Sequence, residues 1–494
     1  MFMLRYFSGH GPVMLPLMVA LLSLFGTSCT VQEEGTKPSE STVCYSREMI
    51  NARMSAWYNK DNQVGFSNAN STNGITEPAV QATWDYVPGV VAKGILDVWE
   101  YYQDSTWADA WYEGLCTWAL HQQATDQGGI LDDLNCTKVF VGLYQGAKPG
   151  GRFENADNAA YFMEQMKRGA KGLDEHKRLY SIAQGGAAGG WMHKATNDPT
   201  KSYYGQMWCD GAYMGQALLA QLLVAGACEG TSLGWNDVFT QFTASWPYLW
   251  DEQKHLPYHV LFTDVTINQN AKAIYEAGHL YPCAADPTIY HSEEYWGRAA
   301  GWYMLALVDV LEAYLTNLGE GEQPGANFET LQEYLTQLAD GLVARQDPET
   351  GCWYQLLQYG SDKCATQGID DTGSTKYTNV SEGGTQCNYL ESSASCLITA
   401  ALLKGSRLGL IHHTDAGRKG FEGIIRQFVK SPITDNLSPL TITSSCQSAG
   451  LSKDRNGSAA YYLIGKDVPI QDNTEGKVLG PFLMASVEYE KLAR

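Results

Sequence analysis

The sequence has little positive charge and lacks the short motifs of several enzyme classes. It carries 34 Lys and Arg against 54 Asp and Glu, for a formal net charge of −20, and has no long basic cluster. Nucleic-acid binding is therefore not expected. No GxSxG, P-loop or dinucleotide fingerprint occurs in a fitting context. Nucleophilic serine, nucleotide and redox-cofactor chemistry are therefore disfavoured.

The 12 cysteines include no CxxC pair, so a zinc cluster is not expected. Most of them stand singly in apolar helical patterns, which predicts buried thiols. Cys352, Cys364 and Cys387 lie in loop-like sequence and are the cysteines predicted to form a bridge. The sequence indicates no metal and no organic cofactor.

The N-terminus has the pattern of a secretory signal. Arg5 precedes the apolar run VMLPLMVALLSLFG, and small residues stand directly before Cys29. We predict a signal peptide over residues 1–28, lipidation of Cys29 and a polar tether over 29–42. The protein is then exported to a bacterial envelope or periplasm, with membrane contact only through the lipid anchor.

Apolar residues recur at helical spacing through the rest of the chain, whereas strand signals are few and short. The absence of a dividing linker predicts one all-α domain over residues 43–494, built as a closed helical toroid. An open solenoid is the alternative that periodicity leaves open. The predicted helices are 46–60, 79–103, 105–123, 134–145, 157–178, 209–227, 235–250, 293–317, 327–345, 387–409, 416–430 and 478–493.

Aromatic residues are abundant, with 14 Trp and 29 Tyr, and several stand beside polar residues at predicted helix starts. In QMWCDGAYMG, Asp210 follows Trp208. This Asp either caps the next helix or is a general acid whose pKa is raised by loss of water against the ring. Asp132 and Asp133 precede another apolar run. One of them is expected to be an N-cap, and the other to pair with Asp210 across a cavity.

Three further groups are candidates for substrate contacts. His255 and His259 have a metal-chelating spacing, but Pro257 between them argues against a helix, so a hydrogen bond to a sugar hydroxyl is preferred. Arg298 stands between Trp296 and Trp302 and suits a carboxylate ligand. The alternative for this Arg is to tie down a helix end, and Glu391 is either a buried cap or an orienting group.

Six segments resemble the unsaturated rhamnogalacturonyl hydrolases of glycoside hydrolase family 105, which are related to the unsaturated glucuronyl hydrolases of family 88. They are WCDGAYMG, GGWMHK, EEYWGRAAGWYMLALVDVLE, GCWYQLL, NYLESSASCLITAALLKGSRLG and EGKVLGPFLMASVEYEK. The resemblance implies an (α/α)6 barrel that removes a 4,5-unsaturated galacturonyl residue from the non-reducing end of pectin fragments. Ala299 and Ala300 depart from the Gly-Asn that the family commonly has there.

The resemblance also assigns roles to residues. Asp210 matches the acid that protonates C4 of the enol ether, before water adds at C5 and the hemiketal opens, and Asp132 matches a second inward acid. Contacts with the substrate are implied for His193, His259, Arg298 and Trp302, with Asp133 as the other candidate of the Asp pair. Trp208 and Trp296, which stand beside Asp210 and Arg298, are also predicted to contact the substrate. Two alternatives stay open, an unsaturated glucuronyl hydrolase acting on other glycans and an inactive lipoprotein that binds pectin oligosaccharides.

Overall fold

A computed structural model describes residues 44–54, 84–102, 105–184, 188–263, 265–266, 268–370, 378–430, 440–472 and 476–492. The predicted signal peptide, lipidated Cys29 and tether lie outside these residues. Within the described ranges, no helix is both long and apolar enough to cross a bilayer.

Helices dominate the described residues. In chain order they are α1 (Tyr45–Met54), α2 (Tyr86–Tyr101), α3 (Thr106–Ala119), α4 (Leu131–Asn135), α5 (Thr137–Ala147), α6 (Ala156–Asp174), α7 (Cys209–Gly211), a π-helical turn (Ala212–Gln216), α8 (Ala217–Val224), α9 (Trp235–Leu249), α10 (Gln269–Glu276), α11 (Gly297–Asn317), α12 (Ala326–Val343), α13 (Ser392–Arg407), α14 (Thr414–Gln427), α15 (Ala459–Ile464) and α16 (Gly476–Lys491).

Six of these helices form a closed inner ring. In order around the ring they are α2, α5, α8, α11, α13 and α16; each packs on the next, and α16 returns to pack on α2. The outer helices α3, α6, α9, α12, α14 and α1 pack on α2, α5, α8, α11, α13 and α16 respectively. This closure excludes the open solenoid and confirms the (α/α)6 barrel.

The burial pattern explains the two rings. Helix α11 is buried on nearly every face, as expected of an inner helix, whereas α6 and α14 bury a narrower stripe. Close packing of α11 on α13 depends on Gly301, where an added Cβ would lie 2.7 Å from Leu397 Cβ. Glycine permits this close approach because it has no Cβ.

The predicted helices differ from the observed ones in detail. The helix predicted over 134–145 is two helices, α4 and α5, and the helix predicted over 209–227 contains the π-helical turn. Helices α10 and α15 have only 8 and 6 residues, too short for a periodic signal.

The strands are short and pair in antiparallel fashion. They are β1 (Arg178–Gln184), β2 (Ala188–Trp191), β3 (Gln206–Trp208), β4 (Trp250–Asp251), β5 (Leu256–Pro257), β6 (Val260–Phe262), β7 (Leu280–Pro282), β8 (Tyr290–Ser292), β9 (Cys364–Thr366), β10 (Thr385–Cys387), β11 (Val429–Lys430), β12 (Thr441–Ile442), β13 (Ser445–Cys446) and β14 (Ile470–Gln471). A four-stranded sheet has the order β3-β6-β8-β7, and the other pairs are β1-β2, β4-β5, β9-β10, β11-β12 and β13-β14.

The cysteine prediction is right for two of three residues. Cys364 and Cys387 form a disulfide that joins β9 to β10. Cys352 is buried and carries a free thiol, because it lies in the hydrophobic core rather than on the surface of the loop.

Candidate active site

Backbone pairing at the start of an inner helix brings Asp210 to His259. Strand β3 pairs with β6 so that Trp208 lies opposite Val260, and the N–H of Cys209 donates to the carbonyl of His259 at 2.9 Å. Asp210 Oδ2 consequently lies 3.3 Å from His259 Nε2, with both side chains buried. The sequence predicted each residue but not this pairing.

A second backbone ladder brings Asp132 to His193. The N–H of Leu131 donates to the carbonyl of His193 at 3.0 Å, and the N–H of His193 donates to the carbonyl of Gln206 at 2.9 Å. Asp132 Oδ2 lies 3.6 Å from His193 Nε2. Because Gln206 is in β3, both Asp–His pairs are attached to the same strand.

The indole of Trp208 separates the two pairs. The His193 ring stacks on it with centroids 4.4 Å apart and planes 10° apart, and the His259 ring meets it edge-on at 5.1 Å. The indole N–H donates to Gln206 Oε1 at 2.8 Å, which fixes its plane. Trp208 therefore sets the distance between the two imidazoles.

These side chains surround a pocket of about 60 Å³. The predicted residues Asp132, His193, Trp208, Asp210, Trp296, Arg298 and Trp302 line it, together with Tyr86, Met214, Ser448 and Ala449. Asp133 is exposed and is not among the lining residues, so its placement gives no support to the predicted substrate contact. His259 is fully buried and supports Asp210 from behind.

Three buried polar atoms of this group lack a hydrogen-bond partner within the described ranges. They are Asp210 Oδ2, His259 Nε2 and His193 Nδ1; the first two face each other at 3.3 Å without the alignment of a hydrogen bond. Unpaired buried polar atoms are costly. The arrangement suits a ligand rich in hydroxyl groups, which both donate and accept hydrogen bonds.

Asp210 does not cap its helix, and its pKa is shifted in the direction opposite to the predicted one. Residue Trp208 occupies the N-cap position of α7, without a side-chain capping bond. Burial alone would raise the pKa of Asp210, but the adjacent His259 and the nearby His193 outweigh it, so the pKa lies below its usual value. The prediction considered loss of water against Trp208 and could not include two imidazoles that are distant in sequence.

In the other Asp–His pair, the pKa of the His193 imidazole is raised. Burial lowers the pKa of His193, but the carboxylates of Asp132 and Asp210 raise it by more, so the net shift is upward. Neither Asp132 nor Asp133 is an N-cap, because α4 starts at Leu131 after Ile130 and both Asp residues lie in its first turn. The expectation that one of them caps the helix is wrong.

Tyr462 is a supporting residue that sequence reasoning missed. Its hydroxyl lies 2.6 Å from His259 Nδ1, and burial raises the pKa of Tyr462 well above its usual range, so the hydroxyl stays protonated. We assign the O–H as donor to Nδ1, which leaves the imidazole hydrogen on Nε2, the nitrogen that faces Asp210. Tyr462 lies in α15, whose shortness gave no signal.

Arg298 ties two helices to a loop at the pocket wall. Its Nε donates to Ser393 Oγ at 2.7 Å, and its other nitrogens donate to the carbonyls of Cys446 and Gln447. Glu391 Oε1 lies 3.6 Å from the guanidinium and accepts from the Cys446 N–H at 2.8 Å. Arg298 therefore ties a helix end, as the alternative proposed, while it also lines the pocket.

Glu391 combines both of its proposed roles. Its carboxylate is the N-cap of α13, accepting from the Ala394 N–H at 2.6 Å, and it orients Arg298. The two residues fix segment 445–447, which precedes the pocket residues Ser448 and Ala449. The pocket wall is therefore held by fully buried ionic and hydrogen-bonding contacts.

His255 and His259, whose spacing could suit a metal ion, lie in different surroundings. His255 has a left-handed backbone with φ 53° and lies near the indole of Trp250, whereas His259 contacts Trp208 and Trp296. Within the part of the chain that the structure describes, no group of three or more His, Cys, Asp or Glu could hold a metal ion.

Comparisons with known proteins agree with this architecture. The model of Glycosyl Hydrolase Family 88 matches residues 64–369 and 368–493. The 24.9 kDa protein in the picA locus of Rhizobium radiobacter is 29% identical over 220 residues, which cover 42% of this chain and 78% of that protein.

Solved structures share the fold. A family 105 glycoside hydrolase of C. acetobutylicum ATCC 824 has a TM-score of 0.61 and 23% identity, and the match covers 91% of this chain and 100% of that chain. The unsaturated glucuronyl hydrolase of Bacillus sp. GL1, responsible for the degradation of glycosaminoglycan, has a TM-score of 0.51 and 13% identity, with 89% and 96% covered. The resemblance to families 105 and 88 is thus confirmed.

Proposed function

This chain belongs to Glycosyl Hydrolase Family 88, and from that membership together with the resemblance of six segments to family 105 we propose that it removes a 4,5-unsaturated galacturonyl residue from the non-reducing end of rhamnogalacturonan or pectin fragments. The observation that carries the proposal is Asp210, a buried carboxylate whose Oδ2 lies 3.3 Å from His259 Nε2 at a pocket built from indoles and imidazoles. An anionic, hydroxyl-bearing ring suits these surroundings, because the raised pKa of His193 favours its cationic form.

In the proposed reaction, Asp210 transfers a proton to C4 of the enol ether, and positive charge develops at C5 and the ring oxygen. Water then adds at C5 and gives its proton back to the Asp210 carboxylate. The resulting hemiketal opens and expels the aglycone, so that one water is consumed and no electrons are exchanged. General acid catalysis of this kind needs the donor oxygen within hydrogen-bonding reach of the carbon that is protonated.

The neighbouring residues support this reaction by position. His259 Nε2, 3.3 Å from Asp210 Oδ2, stabilises the carboxylate once the proton has left. Trp208 and Trp302 line the pocket, where indoles provide apolar surface for a sugar ring. Arg298 lies in the pocket wall and would attract the carboxylate of the substrate. Hydrogen bonds to Ser393 and Gln447 already fix the orientation of its guanidinium.

The test is the loss of double-bond absorbance when the purified protein meets unsaturated galacturonyl-rhamnose. Asp210→Asn is expected to fold normally and to lower kcat by about 100- to 10,000-fold, as expected for loss of a general acid. Asp109→Asn is the matched control, because Asp109 forms a 2.5 Å ion pair with Arg152, and neither residue lines the pocket. Undiminished turnover by Asp210→Asn would refute the assigned acid.

A second candidate is the same chemistry on an unsaturated glucuronyl residue of another glycan, which membership in family 88 keeps open. Comparing unsaturated galacturonyl-rhamnose with unsaturated glycosaminoglycan disaccharides separates the two. If the protein binds such sugars without forming product, the inactive binding lipoprotein is the better description.

We also propose that the protein is exported by its signal peptide and anchored through Cys29, which the sequence pattern of residues 1–29 supports. Mass spectrometry of the N-terminal peptide from envelope fractions tests this. An unmodified Cys29 in the mature protein would refute the anchor.

A further inference from the structure

A larger cleft adjoins the pocket and has no part in the reaction described above. It has a volume of about 530 Å³ and is lined by polar and aromatic side chains, among them Ser202, Tyr203, Ser452, Arg455, Lys466 and Asp467. The pocket itself is much smaller, at about 60 Å³. The rest of an oligosaccharide must therefore leave the pocket on an open side.

The boundary between pocket and cleft is only one residue wide. A Cβ added to Gly450 would lie 2.9 Å from the Trp208 ring, 3.3 Å from Arg455 Nη1 and 3.5 Å from the Tyr203 hydroxyl. The Tyr203 and Trp208 rings are themselves 5.2 Å apart. Gly450 thus touches one residue of the pocket and two of the cleft, and its missing side chain allows the loop to pass between them.

The charged groups of the cleft balance one another. Arg455 Nε lies 2.5 Å from Asp467 Oδ2, and Asp454 and Lys466 complete a lining with two cations and two carboxylates. A sulfate or a second uronate would have to displace Asp467 from Arg455 and would meet the carboxylate of Asp454. Sugar hydroxyls, which donate and accept, can instead bind both members of the pair without breaking it.

We propose that this cleft binds the leaving part of the substrate and that the Arg455–Asp467 pair selects an uncharged sugar over a sulfated or uronate one. The inference rests on the proposed function and adds to it which residues decide the class of aglycone. Tyr203, half-buried at the boundary, supplies a ring face for the first sugar beyond the cleaved bond.

The experiment compares kcat/KM for three unsaturated uronyl substrates: a methyl glycoside, a rhamnose disaccharide and a sulfated N-acetylhexosamine disaccharide. The wild-type protein is expected to prefer the rhamnose disaccharide over both others. Asp467→Asn frees Arg455 for an anion, and it is expected to shift the ratio of rhamnose to sulfated substrate by about tenfold toward the sulfated one.

Two further variants make the outcome decisive. Arg455→Gln removes the other member of the pair and is expected to weaken use of the rhamnose disaccharide without any gain for the sulfated one. Asp109→Asn removes a carboxylate from a different Arg–Asp pair and should leave the ratio unchanged. Melting temperatures establish that each variant is folded.

The outcomes separate the inference from the proposed function. If the methyl glycoside is hydrolysed as well as the disaccharides, or if Asp467→Asn and Arg455→Gln leave the substrate ratios unchanged, the cleft does not select the aglycone and the inference is overturned, while the proposed function stands. If the wild-type protein hydrolyses none of the three substrates, the proposed function fails and the inference fails with it.

Discussion

Replacing Tyr462 with Phe tests whether the environment of His259 controls the acid. The substitution removes one oxygen atom, 2.6 Å from His259 Nδ1, and keeps a ring that packs near Trp296, with centroids 6.3 Å apart. Both Tyr462 and His259 are fully buried, and Tyr462 does not line the pocket. We therefore expect the effect on kcat to exceed the effect on KM.

The size of the effect on kcat follows from His259 Nδ1, which loses its hydrogen-bond partner in Tyr462→Phe. A buried polar atom left without its partner costs about 1–3 kcal/mol. The imidazole can avoid this cost by moving its hydrogen from Nε2 to Nδ1, but then no N–H faces Asp210. If most of the cost is felt in the transition state, kcat falls by about 10- to 100-fold, because 1.4 kcal/mol corresponds to about a factor of ten.

The pH dependence distinguishes this role from a purely structural one. His259 is among the groups that hold the pKa of Asp210 down, so loss of its N–H raises that pKa. Because Asp210 must be protonated to act as the acid, the limb of the kcat profile that falls with rising pH should move to higher pH. Tyr461, Glu294 and Cys446 also influence Tyr462 and are unchanged by the substitution.

The assay is the initial rate of absorbance loss at saturating substrate, measured across the pH range in which the protein stays folded. Tyr112→Phe is the control, because the Tyr112 hydroxyl donates to the carbonyl of Leu143 at 2.6 Å in the core. It should lower stability without moving the profile. A slower Tyr462→Phe enzyme with an unshifted limb would contradict the assignment, as would an unchanged kcat.

Two further predictions concern the scaffold. Arg407 Nε, 2.7 Å from Glu488, helps to lower the pKa of this buried carboxyl to about 2 against the effect of burial; Glu488→Gln should lower the free energy of unfolding by roughly 3 kcal/mol near neutral pH. The lowered pKa stabilises the folded protein above the ordinary Glu pKa, and this stabilisation is lost as the pH falls toward 2. Chemical denaturation should therefore show a smaller difference in unfolding free energy between wild type and Glu488→Gln at about pH 3 than at neutral pH. An equal difference at both pH values would contradict this. Arg298→Lys loses the planar fork that holds the carbonyls of Cys446 and Gln447, so proteolysis within segment 445–449 should accelerate and kcat/KM should fall, whereas an unchanged cleavage rate would count against the role of Arg298 in holding the loop.

The fold was predictable because it repeats one pattern. Helical periodicity marks each inner helix, and the buried ring needs apolar side chains on several faces, as α11 shows. What periodicity could not show is closure, which depends on α16 packing on α2 from the other end of the chain. The short helices α10 and α15 were missed because each is too short to show a helical period among the loop residues around it.

The site was predictable as a set of residues but not as a geometry. Aromatic residues beside acids at helix starts identified Trp208 and Asp210. The partner of Asp210 depends on β3 pairing with β6, which no local pattern encodes. The contact of Tyr462 is still harder to predict, because only the packing of the short helix α15, from the C-terminal part of the chain, places its hydroxyl on His259.

The lowered pKa of Asp210 gives the proposed reaction a requirement of its own. A carboxyl whose pKa is depressed by His259 and His193 is ionised in the free pocket, yet the reaction starts with a proton on it. A substrate that brings its own carboxylate into this confined pocket supplies a like charge, which raises the pKa of a neighbouring acid. Binding of the uronate and protonation of Asp210 are then coupled, so that a neutral analogue of the sugar would occupy the pocket and leave the acid unprotonated. The substrate's charge favours the protonated acid before the reaction, and the two imidazoles stabilise the Asp210 carboxylate once its proton has left.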